Sequence, residues 1–296
     1  MRFGYACINL TLPTRFRTCR LNTIEKKGKH YIKELTLINF QETLRAVQWN
    51  IENNIFFYRI SSDIVPFSTH AINDWAWWED PDILDITNQI RKLQEEYNLR
   101  FSCHPGQFNV LNSPNPDVVK RTVLDLTYHD RIMHVLKGQD MILHIGGVYG
   151  DKEASIKRFI NEYEKLPESI KKRLRIENDD KSYSLQEVIA IHKQTRIPIC
   201  FDIHHHICHN NREELEHLEE MLKVVWRSWE GHGKPKCHIS SGKSSKTDRS
   251  HHDYVFKEDL LHLLSILKGN DVDIMFEAKL KDQAVLKIMS ELDYPL

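Results

Sequence analysis

From residue 104 onward, histidine and carboxylate residues recur along the 296-residue chain, most of them at or just after the end of a short apolar segment. The set comprises His104, His144, Glu177, Asp202, His205, His238, His251 and Glu277. Imidazole and carboxylate ligands without thiolates suit zinc, manganese or iron. A catalytic ion usually takes three or four protein ligands, so eight candidates predict two or three divalent ions, with Glu177 or another carboxylate bridging two of them.

Two adjacent ions can clamp the attacking and leaving oxygens of a phosphoryl displacement and lower the pKa of a bound water. The candidate ligands therefore favour phosphodiester hydrolysis. Aldose–ketose isomerisation is the other common use of such a site. Both reactions require that distant parts of the chain bring their ligands to one place.

The elements that must position these ligands are short β-rich segments alternating with longer amphipathic segments. We predict strands at Arg2–Ala6, Ile55–Ile60, Arg100–His104, Met141–Ile145, Leu174–Asn178, Ile199–Ile203, Pro235–Ile239 and Ile274–Glu277. We predict helices at Leu35–Asn53, Ile83–Tyr97, Pro116–Lys137, Ser155–Leu166, Leu185–Gln194, Glu213–Trp229, Lys257–Lys268 and Gln283–Leu292.

Eight strands in strict alternation with helices predict a single (β/α)₈ TIM barrel over residues 1–296, in preference to an open doubly wound sheet. The strands from the third to the eighth each have a His, Asp or Glu as their last or next-to-last residue, and barrel enzymes build their sites at that end. Neither GxGxxG nor GxxxxGK[ST] follows a strand, so we expect no nucleotide cofactor.

Bulk properties indicate a soluble cytoplasmic protein. The net charge is −1, 41% of residues are hydrophobic and 28% are charged, and no apolar run is long enough to span a membrane. The N-terminus lacks a signal-peptide pattern, and six cysteines without a CxxC pair predict free thiols in a reducing compartment. We expect a monomer.

Basic residues cluster in two loops despite the neutral net charge. One cluster includes Arg15, Arg17 and Arg20, and the other holds Lys243, Lys246 and Arg249. These side chains could contact DNA phosphates or belong simply to solvated loops, and charge alone leaves both interpretations open.

The motifs that surround the candidate ligands resemble those of the UV damage endonucleases, a repair family related in fold to endonuclease IV. They span nearly the whole chain and include GYACINL at 4–10, YRISSDIVPFSTH at 58–70, SCHPGQF at 102–108 and LHIGG at 143–147. They continue with RIENDD at 175–180, FDIHHH at 201–206, KCHISS at 236–241 and HHDYV at 251–255.

The resemblance implies incision of damaged double-stranded DNA immediately 5′ of ultraviolet photoproducts by a metal-activated hydroxide, leaving 3′-hydroxyl and 5′-phosphate ends. Manganese is the expected metal, with zinc or magnesium as alternatives. One ion would take His104, His144 and Glu177, and a second would take Glu177, Asp202, His238 and Glu277. A third would take His205 and His251; the resemblance also selects His205 from the three consecutive histidines.

Three further groups of residues acquire roles from the resemblance. Lys236 would lie close to the third ion as a catalytic residue, and in the family this lysine can be carboxylated. His70 is a candidate proton donor, or a residue that supports a metal ligand without binding the ion itself. The lesion-reading residues would be Tyr5, Asn9, Gln107 and Phe108, where Phe108 replaces a tyrosine common in the family. Arg15, Arg17 and Arg20 would hold the DNA backbone.

Three rival functions stay open at this point. An abasic-site endonuclease of the endonuclease IV kind would use the same metals on another lesion. A metal-dependent sugar isomerase on a similar barrel would act on free sugars without binding DNA. A DNA-damage-binding barrel without catalysis would bind but not nick, although the full ligand set argues against it.

Overall fold

The computed structural model describes residues 1–13, 15–209 and 217–292. Eight parallel strands form a closed barrel in chain order, because the last strand pairs with the first through Phe3–Ile274, Gly4–Met275 and Tyr5–Phe276. The strands are β1 (Phe3–Ala6), β2 (Phe57–Arg59), β3 (Arg100–Cys103), β4 (Asp140–His144), β5 (Leu174–Glu177), β6 (Ile199–Asp202), β7 (Lys236–Ile239) and β8 (Asp273–Phe276). The predicted (β/α)₈ barrel is confirmed.

Helices surround this barrel, and all eight predicted helices have counterparts among the described residues. They are α1 (Leu21–Lys27), α2 (His30–Glu52), α3 (Pro81–Glu96), α4 (Pro116–Val135), α5 (Lys152–Glu164), α6 (Glu168–Arg173), α7 (Leu185–Thr195), α8 (Ile203–His209), α9 (Leu218–Arg227), α10 (Lys257–Leu267) and α11 (Lys281–Glu291). Residues 213–216 of the predicted helix Glu213–Trp229 lie outside the described part. The sequence pattern missed α1, α6 and α8, which are only six or seven residues long.

Local sequence explains where several of the longer helices begin. Asp80 and Asn115 cap α3 and α4, each accepting a hydrogen bond from the second residue of its helix, and each is followed by proline at the first helical position. Ser184 and Glu187 form a reciprocal capping box at the start of α7. Among the described helices, none is both long enough and apolar enough to cross a membrane.

The barrel strands are buried almost throughout, which is why they read as apolar runs rather than as alternating patterns. Gly4 allows β1 to approach β2 closely, because a β-carbon there would lie 2.3 Å from the carbonyl oxygen of Phe57. All six cysteines are free, as predicted, and Cys103, Cys200 and Cys237 are buried in strands.

The two ends of the barrel carry different chemistry. At the N-terminal ends of the strands, Arg100 contacts Asp140 at 2.7 Å and Asp273 at 2.9 Å, and Arg175 contacts Asp140 at 3.1 Å. Both carboxylates are fully buried, so this network closes the end of the barrel away from the candidate ligands. The candidate ligands follow or end the strands at the opposite mouth.

Candidate metal centre

Glu177, the last residue of β5, occupies the centre of the barrel mouth and is fully buried. Its Oε2 lies 3.1 Å from Nε2 of His104 and 3.5 Å from Nε2 of His144. Its Oε1 lies 2.6 Å from Nδ1 of His238 and 3.8 Å from Nδ1 of His205. The two oxygens of this one carboxylate therefore serve two different groups of histidines.

The first group, His104, His144 and Glu177, has ligand atoms within 4.8 Å of one another. Nδ1 of His104 lies 3.1 Å from the carbonyl oxygen of Pro105, and a carbonyl can only accept. Nδ1 therefore carries a proton, and the opposite nitrogen, Nε2, faces Oε2 of Glu177. A histidine whose Nδ1 is held by a backbone carbonyl while its Nε2 faces the ligand group is the usual arrangement of a metal-binding histidine.

The second group, Glu177, Asp202 and His238, is fully buried and equally close. Oδ1 of Asp202 accepts a hydrogen bond from the amide of His205, while its Oδ2 accepts none from the described residues. A buried carboxylate oxygen without a donor is costly, and a cation would satisfy it. Amides hold the strand end in place, because Asn178 and Asp202 exchange two hydrogen bonds at 2.9 and 3.0 Å.

Glu277, the remaining predicted ligand of the second ion, lies 3.2 Å from Nδ1 of His238 but is also paired with Arg59. Nη2 of Arg59 also lies 3.0 Å from Nε2 of His238. A guanidinium can only donate, so Nε2 accepts, and Nδ1 carries the proton that His238 donates to Glu177. An ion bound by this group would have to replace one of these two contacts of His238.

The pKa values in the centre agree with neutral imidazole at His238. Burial, with a smaller contribution from the charge of Lys236, lowers the pKa of His238 to about 4 against the opposing effect of Glu177. Burial disfavours ionisation of Glu177, but the surrounding histidines outweigh it and hold the pKa of this carboxyl well below its ordinary value. The centre therefore offers an ionised carboxylate beside a neutral imidazole, as metal ligands require.

The predicted third site, His205 and His251, is brought to the same edge of the mouth. Nδ1 of His205 lies 3.0 Å from the carbonyl oxygen of Asn178, which leaves its Nε2 available, and its ring lies 6.4 Å from that of His251. Burial opposes protonation of His205, but the carboxylates of Asp202, Glu177 and Glu277 outweigh it and raise its pKa to about 9. Without metal the ring is therefore protonated near neutral pH, and an ion bound at Nε2 would displace that proton.

Helix α8 sets the directions of the three consecutive histidines at 204–206. It begins at Ile203, directly after β6, so successive side chains point roughly 100° apart. His205 faces the centre, while Nε2 of His204 contacts the carbonyl oxygen of Asp248 at 3.0 Å.

The donor set fits divalent cations on three grounds found in the structure itself. Its ligands are imidazoles and carboxylates, Asp202 has an oxygen without a donor, and backbone carbonyls hold Nδ1 of His104 and of His205. These features favour a metal centre over a purely structural ionic cluster.

Lys236 lies deeper than the resemblance suggested. It is fully buried inside the barrel, two residues before His238 on β7, and its Nζ forms no hydrogen bond with the described residues. Burial lowers its pKa to about 8. No contact of Lys236 with His205 or His251 occurs among the described residues, so its place beside a third ion and its carboxylation both stay predictions.

His70 does not join the centre. It is an exposed residue of the loop after β2, and its Nδ1 accepts a hydrogen bond from the amide of Ile72 at 3.1 Å. No contact between His70 and a candidate ligand occurs in the described part of the chain. The structure thus gives no support to the prediction that His70 supports a metal ligand.

The four predicted lesion-reading residues fall into two pairs. Gln107 and Phe108 are exposed on the loop after β3, where 84% of Phe108 is accessible. Tyr5 is 0% exposed and its hydroxyl donates to Oδ1 of Asn50 on α2, whereas Asn9 is buried and donates to that same hydroxyl. The polar groups of Tyr5 and Asn9 are thus hydrogen-bonded inside the fold, and their role in reading the lesion stays a prediction.

Arg15, Arg17 and Arg20 are all exposed, and none has an ion pair among the described residues. Nearby lysines behave differently, since Lys29 pairs with Asp74 and Lys33 pairs with Asp80. The three arginines therefore remain available to a polyanion.

Sequence reasoning missed Arg59 as a member of the centre. Its guanidinium is nearly buried and contacts two candidate ligands, Glu277 and His238. The only signal was a charged residue inside the otherwise apolar segment FFYRI at 56–60.

Comparison with known proteins identifies the family. The sequence model of the UV-endonuclease UvdE family matches residues 1–295. The chain belongs to the UV-endonuclease UvdE family. Among curated relatives, the UV DNA damage endonuclease of Bacillus pumilus (strain SAFR-032) is 38% identical over 98% of this chain and 93% of its own length.

Solved structures agree with this membership. The crystal structure of SacUVDE superposes with a TM-score of 0.87 at 29% identity and covers 99% of both chains. Endonuclease IV from Thermus thermophilus superposes with a TM-score of 0.63 at 15% identity over 99% of both chains, which shows a shared fold. The similarity of this UvdE-family chain to SacUVDE therefore covers the whole fold as well as the sequence.

Proposed function

We propose that this protein is a metal-dependent DNA repair endonuclease that nicks double-stranded DNA immediately 5′ of ultraviolet photoproducts. The observation that carries the proposal is the position of Glu177, whose two oxygens face two ligand groups at the mouth of a UvdE-family barrel. Two such groups sharing a carboxylate suit phosphodiester hydrolysis.

The ligands are proposed to hold two or three divalent ions, with manganese as the first candidate. His104, His144 and Glu177 would hold one ion, and Glu177, Asp202, His238 and Glu277 a second. His205 and His251 would hold a third. When bound, divalent ions supply an activated water and stabilise negative charge on phosphate.

The protein's own residues would select and orient the substrate. Arg15, Arg17 and Arg20 would contact phosphates without regard to sequence, which gives a salt-sensitive hold on DNA. A photodimer stacks and pairs poorly, so extruding it costs less than extruding intact bases. Gln107 and Phe108 would enter the space that the extruded bases leave, and hydrolysis would give 3′-hydroxyl and 5′-phosphate ends.

Incision of ultraviolet-irradiated and untreated plasmid tests the proposal directly. The expected result is nicking of irradiated plasmid with manganese, no nicking with chelator, and little nicking of untreated plasmid. A parallel duplex with one abasic site separates this function from that of an abasic-site endonuclease. Cleavage confined to the abasic duplex, or activity on free sugars alone, would overturn the proposal.

A further inference from the structure

The loop after β1 exposes two branched apolar side chains at the mouth of the barrel. Ile8 is 44% exposed and Leu10 is 42% exposed, whereas Asn9 between them is 3% exposed. The loop thus turns its polar residue inward and its apolar residues outward, the reverse of what solvation alone favours.

Buried polar groups brace this loop from below. Oδ1 of Asn9 accepts hydrogen bonds from the amides of Thr11 and Leu12 at 3.0 and 2.8 Å. The fully buried carboxylate of Asp282 accepts from the amide of Leu10 at 2.6 Å, and from the amide and hydroxyl of Thr11 at 3.1 and 2.5 Å. The backbone that carries Ile8 and Leu10 is therefore held to α11, which lies near the C-terminal end of the chain.

The entry to the loop is held in an unusual backbone conformation. Cys7 has a φ of 70°, and the amide of Ile8 donates to the carbonyl oxygen of Ala6 at 2.8 Å, which makes a γ-turn of the less common, positive-φ kind. The hydroxyl of Tyr58 donates to the carbonyl oxygen of Cys7 at 2.6 Å and secures this turn. Strained turns of this kind persist where the surrounding structure enforces them, often at functional sites.

The loop lies beside the candidate metal centre and close to the exposed Phe108. Tyr5 pairs with Phe276, so Glu277 lies level with Ala6, two residues before Ile8. The end of β1 is separated from the end of β3, which leads to Phe108, by β2 alone. Adjacent strands are about 4.8 Å apart, so the two strand ends are roughly 10 Å apart. Both can reach one distorted segment of duplex.

We propose that Ile8 and Leu10 form a second apolar wedge, the β1 wedge, that packs against unstacked bases beside the lesion. This proposal rests on the proposed function, which supplies the expectation that the bound duplex contains an ultraviolet photoproduct. Ile and Leu are among the side chains that wedge between base steps, and a braced loop keeps them in place before DNA arrives. The β1 wedge would contact the duplex beside Gln107 and Phe108, from the other side of β2.

The test compares Ile8→Ala/Leu10→Ala with a control, Ile38→Ala/Leu261→Ala, which truncates exposed residues on α2 and α10. A fluorescent 2-aminopurine base is placed next to the distortion in two duplexes, one with a photodimer and one with two tandem mismatches. Wild-type protein and the control should raise its fluorescence on binding. The double wedge variant should lose most of this signal and about tenfold in preference for either distorted duplex over intact duplex, the equivalent of about 1.4 kcal/mol.

An apolar replacement, Ile8→Leu/Leu10→Met, should retain the fluorescence signal, since wedging needs apolar volume rather than a specific shape. Circular dichroism and metal content should be unchanged in all variants because the truncated side chains are exposed. If wild-type protein raises no signal on either duplex, or if the wedge variant raises the same signal, the β1 wedge is overturned. Failure to nick photodimer DNA, with the fluorescence pattern intact, would overturn the proposed function and leave the wedge standing.

Discussion

Glu177 and His238 face each other at the centre of the barrel mouth, with Oε1 of Glu177 2.6 Å from Nδ1 of His238 and both side chains fully buried. The other oxygen of Glu177 faces His104 and His144. This carboxylate links the two halves of the candidate metal centre, so several expectations depend on it.

Replacement of Glu177 by glutamine removes the shared charge while keeping the shape of the side chain. We expect loss of bound metal, because both ligand groups lose their anionic member, and a fall in incision greater than about a hundredfold, since loss of an outer-shell partner alone costs up to that much. Elemental analysis and plasmid nicking measure the two effects. Glu153→Gln on the exposed face of α5 is the control. Wild-type metal content in the Glu177 variant would exclude the proposed centre.

Arg59→Met tests whether the buried arginine balances the charge of the metal-free centre. The variant leaves Glu277 without its cation, and removal of one partner of a buried ion pair typically costs about 3–5 kcal/mol. We expect this loss of unfolding free energy without metal and a smaller loss with saturating manganese, because bound ions supply the missing charge. Urea unfolding in both conditions measures the difference.

The matched control for Arg59 is Lys223→Met, which breaks a pair with Glu220 on α9 in which both side chains are exposed. Its effect should be small and independent of metal. An equal loss of stability for Arg59→Met with and without manganese would show that Arg59 serves packing rather than the charge balance of the centre.

The ionic network at the opposite end of the barrel predicts acid sensitivity. Burial opposes ionisation of Asp140, but the charges of Arg100 and Arg175 outweigh it and hold its pKa below the ordinary value. A depressed carboxyl pKa stabilises the fold fully above the unfolded value of about 3.9, and this stability is lost as pH falls below it. Wild-type unfolding free energy should therefore decrease steeply as the pH falls below about 4.

Asp140→Asn should be less stable at neutral pH, by about 3–5 kcal/mol, because Arg100 and Arg175 lose a buried partner. Its stability should also depend less on pH in the acid range. Asp85→Asn, on the exposed face of α3, is the control and should retain the wild-type pH profile. Unchanged acid sensitivity in Asp140→Asn would assign the acid transition to other carboxylates.

Alanine at both Gln107 and Phe108 separates recognition from chemistry. The variant removes the exposed side chains while leaving every candidate ligand in place. Filling the space left by extruded bases offsets unstacking, so preference for photodimer over intact duplex should fall about ten- to a hundredfold. Competitive binding measures the preference, and metal content should be unchanged. Leu124→Ala, on the exposed face of α4, should have no effect, and unaltered preference in the double variant would remove this loop as a probe.

Neutralising Arg15, Arg17 and Arg20 tests the proposed hold on the DNA backbone. Binding should weaken for damaged and undamaged duplexes alike, and the slope of log K against log salt should decrease by roughly one for each lost phosphate contact. Arg45→Gln, at an exposed position on α2, is the control. A salt slope equal to that of the wild type would show that the three arginines are solvated loop residues that do not contact DNA phosphates.

The sequence by itself determined the barrel and most of its candidate ligands. Buried parallel strands read as short apolar runs, and their carboxyl ends must meet at one mouth, so residues such as His144 and Glu177 could be placed together without coordinates. Membership of a family with these motifs extended the prediction to Gln107 and Phe108, which the structure leaves exposed.

Only the tertiary structure decided how the loop after β1 and the segment after β6 are oriented. Tyr5 and Asn9 are buried because they bond to Asn50 and to each other, and Leu10 is held by Asp282, 272 residues later in the chain. No local pattern encodes such distant partners. The positive φ of Cys7 and the immediate start of α8 likewise depend on neighbouring elements, and they determine which side chains are exposed at the mouth and which face the candidate metal centre.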